Sequence, residues 1–190
     1  MNTSSVVVKI AIAGCILLFA CYSDSAATSD LGFKGIGPGL GYVKPGNGNY
    51  ETAEAGITFE FGEFVPQLHW DGSLSFWSSG RTYSYYQASV TNVYQWKSRD
   101  VALRSGVNYH FSVGDWVPIT GGGLGLHFYS WDYAGAPNYS NNGDTKLGLY
   151  LDGGLEHKFN ENLTGKMQLL FDFADPDQTA LMFNLIYYLQ

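Results

Sequence analysis

Beyond its first 27 residues the chain has no cysteine, since Cys15 and Cys21 both lie in the N-terminal segment. A mature chain starting near Thr28 therefore offers neither a disulfide nor a Cys-ligated metal. Charge is also scarce. Charged residues make up 14% of the sequence, too few for an ordinary soluble surface. Ten basic residues stand against 17 acidic ones, for a net charge of −7. That balance excludes nucleic acid as a partner, because phosphate recognition needs clustered Lys and Arg. No apolar run of 18 residues occurs outside the N-terminal segment, which excludes a helical membrane protein. The 16% aromatic content and the apolar remainder in turn exclude a disordered chain.

Residues 1–27 read as an export signal. Lys9 supplies the positive end, Ile10 to Ala20 the apolar stretch, and Ser25-Ala26-Ala27 the small residues before a cleavage point. Leu18-Phe19-Ala20-Cys21 also resembles a lipoprotein box, in which Cys21 would carry the lipid. The remaining residues, 28–190, form one domain.

The C-terminal third carries the clearest periodicity. Leu147, Leu149, Leu151 and Leu155 alternate with Lys146, Tyr150, Asp152 and Glu156. After Asn160-Glu161-Asn162, the residues Leu163, Met167, Leu169, Phe171 and Phe173 alternate with Thr164, Lys166, Gln168 and Asp172. After Ala174 to Asp177, Leu181, Phe183, Leu185, Tyr187 and Leu189 share one face. A period of two is the strand signal. The run lengths match the roughly 9–11 residues that a tilted transmembrane strand requires.

The same pattern predicts five earlier strands: Gly32 to Val43, Thr52 to Phe61, Gln67 to Phe76, Val101 to Phe111 and Trp116 to Ser130. The first has Gly35, Gly37, Gly39 and Gly41 on one face. Ser78 to Asp100 alternates poorly and reads either as one long loop or as the flared upper half of two strands. Trp131 to Gly143 reads as a second long polar loop. The connections near Gly62 to Pro66, Ser112 to Asp115 and Asn160 to Asn162 are short. Short turns at one end and long loops at the other are the asymmetry of a bacterial outer-membrane barrel. The expected fold is all-β: an eight-stranded, antiparallel, up-and-down transmembrane β-barrel. A soluble lipocalin-like barrel is the alternative, with the apolar face lining a ligand pocket. Its outer face would be rich in Lys and Glu, whereas the polar face here is mostly Gly, Ser, Thr, Asn and Gln.

Gly153-Gly154-Leu155-Glu156-His157-Lys158-Phe159-Asn160-Glu161-Asn162-Leu163, followed by an alternating strand, resembles the small outer-membrane barrels of the OmpA/OmpX kind. The resemblance implies an eight-stranded barrel inserted by the outer-membrane assembly machinery. That machinery would recognise the last strand, here Phe183, Leu185, Tyr187 and Leu189. The implied surroundings are outer-membrane lipid and lipopolysaccharide, and the implied state is a monomer.

A catalytic set is not expected. The lipid A deacylases among such barrels carry His-x-Ser-Asn on the strand before last, and Met167 to Phe173 contains neither His nor Ser. His127 and Ser130 are three apart and face opposite sides of their strand, so they form no base–nucleophile pair. His69, His110 and His127 share the polar face without metal-type spacing, so no metal or cofactor is expected. His157 falls in the apolar register, near the short-turn rim. A charge network is expected in the lumen, from Glu54, Arg104, Lys146, Asp152, Glu156, Lys166 and Asp172. Pairing suits an interior just wide enough for its own side chains, whereas a pore lining would tune ion selectivity instead. Binding candidates are the loop aromatics Tyr83, Tyr85, Tyr86, Tyr94, Trp96, Trp131, Tyr133 and Tyr139, set among Ser, Gly and Asn as in adaptable binding loops. The expected function is structural or surface-interaction, such as adhesion or recognition. The alternatives are a lipid A-modifying enzyme, a narrow channel and the soluble ligand-binding barrel.

Overall fold

The strict alternation of Leu163–Asp172 and Gln178–Tyr188 builds the two shortest strands, of 10 and 11 residues, each just long enough to cross a bilayer. They are β7 and β8 of a computed structural model that describes residues 30–46, 50–87, 90–111, 114–134, 142–174 and 177–189. The other strands are β1 (Asp30–Pro45), β2 (Thr52–Val65), β3 (Leu68–Gln87), β4 (Val90–His110), β5 (Trp116–Ala134) and β6 (Asn142–Asn160). Each pairs antiparallel with the next, and β1 pairs with β8, so the sheet closes into an eight-stranded barrel. Residues 1–27, read above as an export signal, lie outside the described residues, Cys21 with them.

The polar face points inward. Glu54, Glu60, Asp71, Arg104, Asn108, Lys166, Asp172 and Asn184 are all buried. The apolar face points outward, with Leu40 68% and Leu147 69% exposed beside Leu103, Leu124, Phe183 and Leu185. Near the β2–β3 turn, Phe33, Phe59, Phe61, Phe64 and Trp70 pack as an aromatic cluster, with the Phe61 and Trp70 ring centroids 4.6 Å apart. Around the same end Trp116 stacks on His157 at 4.5 Å, and Tyr109 packs edge-on against Phe111. An aliphatic belt bounded by aromatics is the outer surface of a membrane barrel, since amphipathic rings settle at the headgroup level. A lipocalin-like barrel has the opposite polarity and is set aside.

Short turns at 66–67 and 161–162, together with Asp30 and Tyr188, define the periplasmic end. The first turn holds Gln67 at a φ of 73°, unusual for a residue with a Cβ. It is tied down by the Tyr109 hydroxyl, which donates to the Gln67 side chain, and by His110 N–H on the Gln67 carbonyl at 2.8 Å.

Glycines on β1 let β8 come close. A Cβ on Gly37 would fall 1.9 Å from the Leu185 carbonyl oxygen, and one on Gly39 would fall 2.2 Å from Asn184 Oδ1. The glycine face therefore lets the β8 backbone and the Asn184 and Met182 side chains come close inside a narrow barrel. Gly37→Val is expected to destabilise the barrel by about 1–3 kcal/mol, because β1 and β8 must part to admit it. Urea unfolding in lipid vesicles reads this loss; an unchanged midpoint would contradict the close approach.

The upper half departs from a loop reading. Ser78 to Gln87 and Val90 to Asp100 are strand, with the β3–β4 ladder continuous up to Gln87↔Val90. Trp131 to Gly143 is also shorter than a full loop: Trp131 to Ala134 belong to β5, and Asn142 and Gly143 to β6. Alternation was blurred there because both faces of these strands stand in water above the bilayer and need no apolar side. What remains is high β-propensity in Tyr, Thr and Val.

Candidate functional site

The interior is organised in two ion clusters. Toward the outside, Arg104 donates to Asp172 Oδ2 (3.1 Å), Glu54 Oε1 (3.3 Å) and Ser75 Oγ (2.8 Å). Toward the periplasm, Lys166 Nζ meets Asp71 Oδ2 (2.7 Å), Glu60 Oε1 (3.4 Å) and Glu156 Oε1 (3.5 Å), and Asn108 also donates to Asp71 (2.6 Å). Buried charge is tolerated only when paired and hydrogen-bonded, and these contacts supply the pairing. Between the clusters, Thr58, Asp71, Arg104, Tyr150, Asp152 and Gln168 line a cavity of about 30 Å³.

Of the residues predicted for a lumen network, the structure brings Glu54, Arg104 and Asp172 together in one cluster and Glu156 and Lys166 in the other. Asp152 lies between them, buried, with Oδ1 unpartnered among the described residues. Lys146 corrects the expectation. It stands at the upper rim, 36% exposed, paired with Asp144 at 2.8 Å, where the lumen opens and an ammonium stays hydrated. Glu60 and Asp71 were missed as network members, although their register on the polar face would have placed them. Asp100 was missed because it lies in the blurred stretch.

Above the Arg104 cluster the lumen is closed by a floor. His127 Nδ1 lies 2.8 Å from Asp100 Oδ2, and its Nε2 lies 2.8 Å from Asp172 Oδ2 without hydrogen-bond alignment. Gln178 Nε2 donates to Asp100 Oδ2 and to the Tyr129 hydroxyl, both at 3.1 Å, while Trp77 Nε1 donates to Gln178 Oε1 at 2.9 Å. His127 is thus enclosed between two carboxylates, with no nucleophile in reach among these contacts. Lower down, His69 and His110 stack at 3.7 Å, and His69 Nε2 lies 3.0 Å from Glu63. His157 sits at the periplasmic rim, its Nδ1 3.1 Å from the Asp115 carbonyl oxygen. Among the described residues, no group of three His, Cys, Asp or Glu side chains is placed to hold a metal.

Over the floor rises a one-sided wall. Strands β3, β4, β5 and β6 hold 20, 21, 19 and 19 residues. A crossing takes roughly 9–11 residues, so the β3–β4 hairpin stands on the order of 20 Å above the bilayer. Its register turns one set of side chains over the mouth. Tyr83 pairs with Tyr94, Arg81 with Trp96, Trp96 with Tyr133, and Ser98 with Trp131, all on the face that continues the lumen lining. Trp131 packs on the buried cluster of Trp77 and Tyr129, and the Trp96 and Tyr133 rings lie 6.5 Å apart. From the low side of the mouth, Tyr50 places its ring 3.3 Å under the Arg81 guanidinium, which also donates to the Tyr83 hydroxyl at 3.0 Å. Of the sequence candidates, Tyr83, Tyr94, Trp96, Trp131 and Tyr133 therefore share this face. Tyr85 and Tyr86 belong to β3 by backbone pairing, and Tyr139 lies outside the described residues. Tyr50 and Arg81 were not foreseen.

The closed barrel, the outward apolar belt and the periplasmic turns define a transmembrane β-barrel of the bacterial outer-membrane type. Known structures agree in fold. The chain is similar to the outer membrane protein OprG from Pseudomonas aeruginosa at 13% identity, with a TM-score of 0.62 over 85% of this chain and 98% of that one. It is similar to Neisserial surface protein A at 14% identity and a TM-score of 0.58, over 87% of this chain and all of the other. A major outer membrane protein from Thermus thermophilus gives 14% identity and a TM-score of 0.53, over 82% of this chain and 99% of that one. No protein-family model matches the sequence, and no curated protein matches it either.

Proposed function

We propose that this barrel is a surface-interaction protein, with recognition carried by the aromatic inner face of the β3–β5 wall and the lumen serving as a packed structural plug. The observation that carries this reading is the convergence of Tyr50, Tyr83, Tyr94, Trp96, Trp131 and Tyr133 over a sealed floor. A strand wall that only crossed the membrane would end near the headgroups. This one continues by about ten residues and turns its aromatic side toward the mouth. Rigid aromatics among small polar residues give contact area at low entropic cost. The barrel works as a monomer surrounded by outer-membrane lipid and lipopolysaccharide. Its last-strand face of Phe183, Leu185, Tyr187 and Leu189 is the segment offered to the assembly machinery.

The test is adhesion of bacteria displaying the protein to an epithelial cell monolayer. The hairpin is shortened by replacing Arg81 to Trp96 with Asn-Gly, a two-residue turn that can join Gly80 to Lys97. The expected outcome is loss of the adhesion gain at equal surface level. Equal adhesion with the shortened hairpin would contradict the reading.

A further inference from the structure

We propose that the mouth binds an uncharged saccharide chain, an inference that rests on the surface-interaction reading. The first argument is charge. Inward positions of the wall above the floor are Ser79, Arg81 and Tyr83 on β3, Tyr94, Trp96 and Ser98 on β4, and Trp131 and Tyr133 on β5. Arg81 is the one charged side chain in that set, and it is already engaged by the Tyr50 ring and the Tyr83 hydroxyl. Lys97, Arg99 and Asp132 occupy the opposite register, where Arg99 and Asp132 pair at 2.9 Å. On β6, Lys146 and Asp144 neutralise each other. An anionic ligand would find a single, occupied cation, and a cationic ligand would find no carboxylate among these positions above the floor.

The second argument is the kind of surface left. Tyr50 and Tyr83 are 48% and 47% exposed, so their rings are open to a ligand. A hexose presents a face of C–H bonds that lies flat on an aromatic ring, and its hydroxyls reach the phenol groups at the ring edges. One neutral donor beside these rings, Trp96 Nε1, is buried and meets no acceptor among the described residues. Buried donors normally find acceptors, and a saccharide hydroxyl would supply one once the indole turns toward the mouth. The third argument is the floor. Trp77, Asp100, His127 and Gln178 close the lumen beneath, so a chain entering the mouth lies along the wall instead of passing through.

The test uses the full chain, exported, purified in detergent and placed in nanodiscs. Cellohexaose, chitohexaose, isomaltohexaose and maltohexaose, all uncharged, are titrated against tryptophan fluorescence. At least one is expected to bind saturably. Trp96→Ala and Tyr83→Ala should each weaken that binding by about fivefold or more, while Lys97→Ala, on the outward face, leaves it unchanged. Trp96→Phe keeps the ring and loses the N–H, and is expected to fall between. Retained heat-dependent gel mobility confirms that each variant is folded. No saturable binding by any of the four, or full binding by folded Trp96→Ala, overturns the proposal. Hairpin-dependent adhesion that survives periodate treatment of the monolayer but not trypsin overturns the saccharide and keeps the surface-interaction reading. Absence of hairpin-dependent adhesion overturns that reading itself.

Discussion

Lys166→Met is expected to destabilise the folded barrel by about 3–5 kcal/mol, because it strips the cation from a buried cluster while leaving the anions behind. Lys166 is fully enclosed and serves Asp71, Glu60 and Glu156 at once. The methionine restores most of the packing volume, so the loss reports uncompensated charge more than a cavity. One further result separates these causes. Adding Glu60→Gln, Asp71→Asn and Glu156→Gln to Lys166→Met should recover much of the stability, since amides need no counter-ion. Urea titrations in lipid vesicles read both variants against wild type. A variant as stable as wild type would mean that the lumen is wet enough to solvate three carboxylates, and the plug reading would fail.

Leu74→Arg probes the other face. Leu74 is 41% exposed, in register with Ile57 on β2 and Leu103 on β4, midway along the crossing part of β3. In a bilayer the guanidinium must be dragged toward the midplane, at a cost of about 2–4 kcal/mol. Thr82→Arg on the same strand, exposed above the membrane in register with Gln95, is expected to change stability by less than about 0.5 kcal/mol. The contrast between two outward positions of one strand, eight residues apart, maps the edge of the apolar belt. Equal effects at both would contradict the placement of that edge.

What was legible in the sequence follows from where the solvent changes. Across the bilayer each strand has lipid on one side and a packed polar lumen on the other, so β6 writes the contrast as Leu149, Leu151 and Leu155 against Tyr150, Asp152 and Glu156, and β7 as Met167, Leu169 and Phe171 against Lys166, Gln168 and Asp172. Strand count, face polarity and the periplasmic turns could be read from that contrast. Above the bilayer it vanishes, and Tyr83, Tyr85, Tyr94 and Trp96 look the same in a loop as in a strand. Only the ladder Ser78↔Arg99 to Gln87↔Val90 distinguishes them. The charge network was partly legible for the same reason: parity put Glu54, Arg104, Glu156, Lys166 and Asp172 inside. Parity cannot say how high a residue stands, which is why Lys146, paired with Asp144 at the rim, was grouped with side chains that lie deeper. The role of the glycines on β1 needed the neighbouring strand, because their use is the space they leave for Asn184 and Met182.

The central claim is that the apolar face of a closed barrel meets lipid. Refolding residues 28–190 from urea into detergent micelles and running the product on a gel, with and without boiling, tests it most directly. A compact, fast-migrating band that slows on boiling, from a protein that precipitates when detergent is removed, is the predicted result. A monomer that stays in solution without detergent, with the same mobility before and after boiling, would contradict it.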